Sequence, residues 1–320
     1  MVTPGTHIAS LMRLIRWPNL VIVALTQILL RQCVLIPVLR QMNMDAQLPL
    51  FLFILLVTGT VCITAGGYII NDYFDRKIDR VNRPETVIVG RLIYPRHAMI
   101  YHIVFTAIGI LCGAWVAVSI HQVYLSLIFI MVSGLLWFYS TTYKRQLLLG
   151  NFIVALLTGM VPFMVLVFEL PLLPRTYGIL APSVSKILFI WVTGFSLFSF
   201  LVNLLREIVK DAEDLEGDSA YGKNTISVVW GTGASKTIAV SLIAVMIGLL
   251  IMAWFYFVRD KFTLLYFIAL VIIPLLAISW LVIKASDQMQ FHRANLFLKG
   301  VMLTGIGYMV VVNLLINYLK

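Results

Sequence analysis

About nine stretches of roughly 20 mostly apolar residues dominate this chain, and each is long enough to cross the hydrocarbon core of a bilayer. They fall near residues 19–40, 50–70, 99–119, 123–143, 150–169, 187–207, 237–257, 263–283 and 297–317. A backbone amide in lipid must find its partner within its own segment, so these runs predict helices rather than strands. The expected fold class is an all-α polytopic membrane protein, a single domain over residues 1–320 with no separate soluble part. Arg13 and Arg16 precede the first run, but no small-residue cleavage site follows it, so it reads as a retained helix rather than a signal peptide.

The formal net charge of +10 would suit a nucleic-acid binder, but its distribution follows the helices instead. With the N-terminus inside, 17 of the 24 Lys and Arg residues fall on the inner side, among them Arg76, Lys77, Arg80, Arg83, Lys144, Arg206 and Lys210. That asymmetry encodes orientation and predicts a cell-membrane protein with its N-terminus and polar connections in the cytoplasm. No nucleic-acid partner is implied, and nothing in the sequence fixes an oligomeric state. Cys33, Cys62 and Cys112 stand singly in apolar runs, without ligand spacing, and read as small hydrophobes.

Against this background the acidic residues are unusually placed. Ten of the 14 lie in two short segments, Asn71–Glu85 and Glu207–Asp218. Each segment carries three aspartates spaced i, i+3, i+7: Asp72, Asp75 and Asp79 in the first, and Asp211, Asp214 and Asp218 in the second. On a helix that spacing aims three carboxylates along one face. Like charges so close need cations, and oxygen donors without His or Cys nearby suit a hard ion such as Mg²⁺. Mg²⁺ takes only one or two protein carboxylates and completes its shell with water and phosphate oxygens. Two such sets would therefore clamp a diphosphate through shared metal ions.

Basic residues interleave with the carboxylates: Arg80 near the first set, Arg206 and Lys210 at the second, with Lys144 closing the segment Tyr139–Lys144. A polyanion site gains from them, whereas a cation path does not, and Lys144 is the expected direct diphosphate contact. Glu207 reads either as a proton acceptor or as a further metal-side carboxylate. Asn203 reads either as a substrate contact or as a helix–helix hydrogen bond. The five histidines show no ligand spacing and receive no role.

These segments together resemble the UbiA superfamily of intramembrane prenyltransferases. Asn71-Asp72-x-x-Asp75-x-x-x-Asp79 looks like that family's first aspartate-rich motif, and Asp211-x-x-Asp214-x-x-x-Asp218 like its second. Tyr139–Lys144 resembles the tyrosine–lysine segment between them, and Arg16-Trp17-Pro18-Asn19 the short motif leading into the first helix. The resemblance implies nine helices around a central cavity, capped by two cytoplasmic loops. It implies Mg²⁺-dependent transfer of a prenyl group from a polyprenyl diphosphate to a lipophilic acceptor.

In that frame Asn71, Asp75, Asp214 and Asp218 are the metal–diphosphate ligands, with Asp72, Asp79 and Asp211 as further metal carboxylates. Asn19, Arg80, Lys144, Arg206 and Lys210 hold substrate, and Tyr139 offers an aromatic face to a cationic intermediate. The second motif, with Tyr221–Thr225, looks most like the digeranylgeranylglyceryl phosphate synthase branch. There the donor is geranylgeranyl diphosphate and the acceptor is the hydroxyl of geranylgeranylglyceryl phosphate. Two other readings stay open: prenylation of an aromatic quinone precursor such as hydroxybenzoate or dihydroxynaphthoate, and a cation or lipid transporter.

Overall fold

The computed structural model describes residues 4–82 and 84–318. The described residues form no named strand, and nine long helices carry the chain. They are α1 (Trp17–Gln41), α2 (Leu50–Asn82), α3 (Pro95–Ser119), α4 (Val123–Thr141), α5 (Leu149–Glu169), α6 (Ala181–Glu213), α7 (Gly231–Val258), α8 (Lys261–Lys284) and α9 (Gln288–Tyr318). Eight apolar segments are long enough to cross a membrane; one of 65 residues, Leu149–Glu213, contains both α5 and α6 and so two of the expected spans. Arg83 lies outside the described residues.

Three of these helices carry a π turn, one of them at the end of α7 over Trp254–Val258, and in the other two the turn leads up to a proline. In α1 a π turn over Leu30–Leu35 runs up to Pro37, and in α8 a π turn over Phe267–Ile272 runs up to Pro274. A proline ring crowds the carbonyl four residues back and offers no N–H, so the preceding turn widens.

The chain packs as two compact units. The first comprises Met1–Lys144 and Val161–Val192, the second Arg145–Met160 and Thr193–Lys320. In the first unit α2 and α3 approach at glycines: a Cβ on Gly109 would stand 2.9 Å from the Gly59 carbonyl oxygen and 2.5 Å from Ile63. Small residues at such crossings let backbones close without a hydrophobic driving force. The connection after α2 folds back at Gly90, whose φ of 88° suits glycine, and inserts Val89 and Ile93 against Ile69 and Leu14. The second unit's core joins Leu205, Val209 and Ala212 of α6 to Ile243, Ile278 and Leu298 from the three following helices.

Hydropathy misplaces the ends of the two motif-bearing helices. The connections expected near residues 71–98 and 208–236 are shorter, because α2 stays helical through Asn82 and α6 through Glu213. The first aspartate triplet therefore lies wholly on a helix. The second does not: Asp214 leaves helical geometry (φ −93°, ψ 11°), and a new short helix, Leu215–Ala220, carries Asp218. Asp and Gly, both poor helix formers, cluster at that break.

Candidate active site

In the first unit two carboxylates at the polar end of α2 each meet a cation. Helix α4 stops at Thr142, and a tight turn over Tyr143–Arg145 sends Lys144 inward. Its ammonium donates to Asp75 Oδ1 at 2.7 Å and reaches Asn71 Oδ1 at 3.5 Å. Asn71 and Asp75 are one turn apart and share a face. Both partners of the pair are buried, with side-chain exposures of 5% for Lys144 and 10% for Asp75. Lys144, expected to meet a diphosphate, is paired in this structure with a carboxylate.

Asp72, on the same helix, meets the residue that leads into α1. Arg16 donates to Asp72 Oδ1 at 2.7 Å, lies 4.9 Å over the Tyr68 ring and also feels the charge of Asp79. The Asp72 carboxylate raises the guanidinium further above its already high ordinary value. Arg16 holds a left-handed backbone (φ 52°) just before Trp17 and Pro18, a conformation that a non-glycine residue adopts at a cost. Asn19 reaches the Tyr68 hydroxyl at 3.4 Å. Arg80 is exposed and lies against the Gly90 turn. Tyr139 is half-buried one turn before Lys144.

The second unit assembles a comparable set. Asn151, in the first turn of α5, donates to Asp211 Oδ2 at 2.6 Å. Lys223 stands 2.8 Å from Asp218 Oδ1, and the Asp218 side chain is 1% exposed. Burial raises the Asp218 carboxyl above the ordinary range, opposed by Lys223 and more weakly by Lys210, while Asp214 adds to the rise. Asp211 and Asp218 are close enough to repel each other. All three aspartates of the segment are therefore gathered, with Lys210 and Lys223 as counter-charges.

Deeper in α6, Arg206 donates to Glu207 at 2.7 Å, and both side chains are largely buried. The Arg206 Nε has no partner, so the guanidinium keeps one dry donor to spend on a ligand. Asn203 donates to the Ser199 carbonyl of its own helix at 2.9 Å.

Three polar partners of the acidic segments carry no signal in the sequence. Asn151 is a lone amide at the start of an apolar run, without motif spacing. Glu213 is held by His292 and Asn295 of α9, 79 and 82 residues away, which no local pattern links to it. Among the described residues no group of three His, Cys, Asp or Glu side chains converges into a ready-made metal shell. Each carboxylate set is instead balanced by lysine or arginine. A ligand set of oxygens alone, two of them on buried aspartates, fits Mg²⁺, which takes few protein ligands.

The UbiA prenyltransferase family profile matches residues 35–301, which include both aspartate segments and Lys144. The chain belongs to the UbiA prenyltransferase family. It is accordingly an integral membrane prenyltransferase. Digeranylgeranylglyceryl phosphate synthase of Thermococcus kodakarensis is 30% identical over 249 residues, covering 77% of this chain and 80% of that protein. Among solved structures, a UbiA homologue from Aeropyrum pernix superposes with a TM-score of 0.64 at 14% identity, covering 96% of this chain and 98% of that one. A UbiA homologue from Archaeoglobus fulgidus bound to GPP and Mg²⁺ does so with a TM-score of 0.56 at 14% identity, covering 94% and 99%. The helical order of this UbiA chain is thus the family's fold; here residues 71–79 lie at the end of the second long helix, and residues 211–218 run from the end of the sixth into the short helix after it.

Proposed function

We propose that this chain transfers a geranylgeranyl group from geranylgeranyl diphosphate to the hydroxyl of geranylgeranylglyceryl phosphate, within the cell membrane and with Mg²⁺. The observation that carries the reading is the buried grouping of Lys144, Asn71 and Asp75 at the polar end of an otherwise apolar α2. Such a grouping has no use in plain lipid packing, and its members are those that diphosphate chemistry needs. The acceptor follows the relatives, several of which are digeranylgeranylglyceryl phosphate synthases.

Bound Mg²⁺ would neutralise charge on the diphosphate and make it a better leaving group. Asn71, Asp75, Asp214 and Asp218 would hold it, with Asp72, Asp79 and Asp211 as further carboxylates. Lys144 stabilises the charge that grows on the diphosphate as the allylic C–O bond breaks. Arg206, whose Nε is dry and unpartnered, binds a phosphate oxygen, and Lys210, Arg80 and Asn19 add to the polar rim. Tyr139 presents an aromatic face to the allylic cation. The apolar helices exclude the water that would quench that cation. The acceptor hydroxyl then forms the new ether bond and releases a proton. The positive-inside distribution supports a cytoplasmic position for both aspartate segments.

The test uses membranes containing the protein, Mg²⁺ and labelled geranylgeranyl diphosphate, with geranylgeranylglyceryl phosphate, hydroxybenzoate and dihydroxynaphthoate offered separately. A Mg²⁺-dependent ether lipid from the first acceptor is the expected product. A prenylated ring would replace the acceptor assignment, and no product with any of the three would refute the proposal.

A further inference from the structure

Glu213 is the last residue of α6 and the last helical position before the break on which Asp214 hangs. Its side chain is 2% exposed, and its sequence neighbour Ala212 and the α9 residues Phe291 and Ala294 belong to the apolar core of this unit, a setting that penalises an unpaired carboxylate. Two donors one turn apart on α9 answer it separately. His292 Nδ1 meets Oε1 at 2.8 Å, and Asn295 Nδ2 donates to Oε2 at 2.9 Å. Holding each oxygen by its own donor fixes the plane of the carboxylate as well as its position. The Asn295 Oδ1 is buried without a partner, so that amide is spent on Glu213 at a net cost. An apolar side chain would pack α9 against α6 more cheaply, since buried polar ties are poor sources of stability.

What the arrangement supplies is orientation. Residues two apart on a helix project roughly 200° apart, so Glu213 and Asp211 point to opposite sides of the last turn. Asn151 holds Asp211 on one side while His292 and Asn295 hold Glu213 on the other. A turn gripped at two opposed points cannot roll, and Asp214 follows it directly. We infer that Glu213, His292 and Asn295 are positioning residues that fix the roll of the end of α6 and thereby aim Asp211 and Asp214 at the Mg²⁺–diphosphate. The inference rests on the proposed role of those aspartates.

The experiment measures thermal protection of the purified full-length protein by inorganic diphosphate while Mg²⁺ is titrated, and so needs no turnover. For Asn295→Ala, and for the double variant with His292→Ala, the Mg²⁺ midpoint should rise roughly 10-fold, the scale seen when residues that orient metal ligands are lost. With Asn295 intact, His292→Ala should also raise the midpoint, whereas His292→Asn, which keeps a donor near the Nδ1 position, should leave it close to the parent's. A uniformly lower unfolding temperature with an unchanged midpoint would make the contact a structural tie and overturn the inference. So would a His292→Asn variant that behaves like His292→Ala. If the double variant does not fold, Asn295→Ala alone decides by the same midpoint. Absence of Mg²⁺–diphosphate protection in the unmodified protein would instead refute the metal reading itself, before any variant is compared.

Discussion

At the residue scale, the site is a set of carboxylates that the protein neutralises with its own cations. Lys144 is the most deeply committed of them, because it answers Asp75 in a dry setting. Breaking a buried pair from one side costs about 3–5 kcal/mol, since the remaining buried charge loses a close counter-ion. Lys144→Met should therefore lower the unfolding temperature strongly in EDTA, and Mg²⁺ should recover part of the loss by replacing the missing charge. Adding Asp75→Asn should also recover stability while leaving turnover absent. A Lys144→Met protein as stable in EDTA as the parent would refute the assignment. Arg16 poses a separate question, because its side chain pairs with Asp72 while its backbone is left-handed. Arg16→Ala keeps the strained φ and Arg16→Gly relieves it, so the glycine variant should be the more stable by about 1 kcal/mol. Both lose the guanidinium, and their turnover should fall equally. Parallel unfolding and product assays separate the two effects.

At the scale of elements, the tight crossing of α2 and α3 makes a sharp prediction. A Cβ on Gly109 meets the Gly59 carbonyl at 2.9 Å, and backbone cannot rotate away as a side chain can. Gly109→Ala should cost about 1–3 kcal/mol, as overpacking does. Gly134 also lies inside a helix but has nothing within 4 Å of its Cβ position, so Gly134→Ala should be neutral or slightly stabilising. Equal unfolding temperatures for the two variants would contradict the close crossing. The elements also show what was readable in the chain. Apolar runs located all nine helices, because lipid demands roughly 20 apolar residues per crossing. The same signal missed residues 71–82 and 208–213, where helices continue beyond the apolar run, because hydropathy reports the solvent and not the backbone. Spacing found the carboxylates and placed the first triplet along one face of a helix, as α2 carries it. It gave no sign that Arg16 would meet Asp72 or that the second triplet would leave helical geometry at Asp214. Asn151, His292 and Asn295 were invisible because their partners are distant in sequence and each is a single polar residue.

At the scale of the whole molecule, each compact unit holds its own set of paired carboxylates. The first has Asp72 and Asp75 with Arg16 and Lys144, and the second has Asp211 and Asp218 with Asn151 and Lys223. Neither set resembles a spare copy, since the partners differ in type and come from different elements. If both sets serve a single diphosphate, as proposed, losing either should cost nearly as much as losing both. Groups that act together in one transition state are strongly non-additive in their deletion effects. Asp75→Asn and Asp214→Asn should each reduce turnover on the order of 10²–10³-fold, the cost of removing a main electrostatic support of a transition state. The double variant should fall little further, and all three proteins should keep the parent's helical content. Full multiplication of the two losses in product assays would mean that the sets act on separate steps. Near-normal turnover in either single variant would remove that segment from the chemistry altogether.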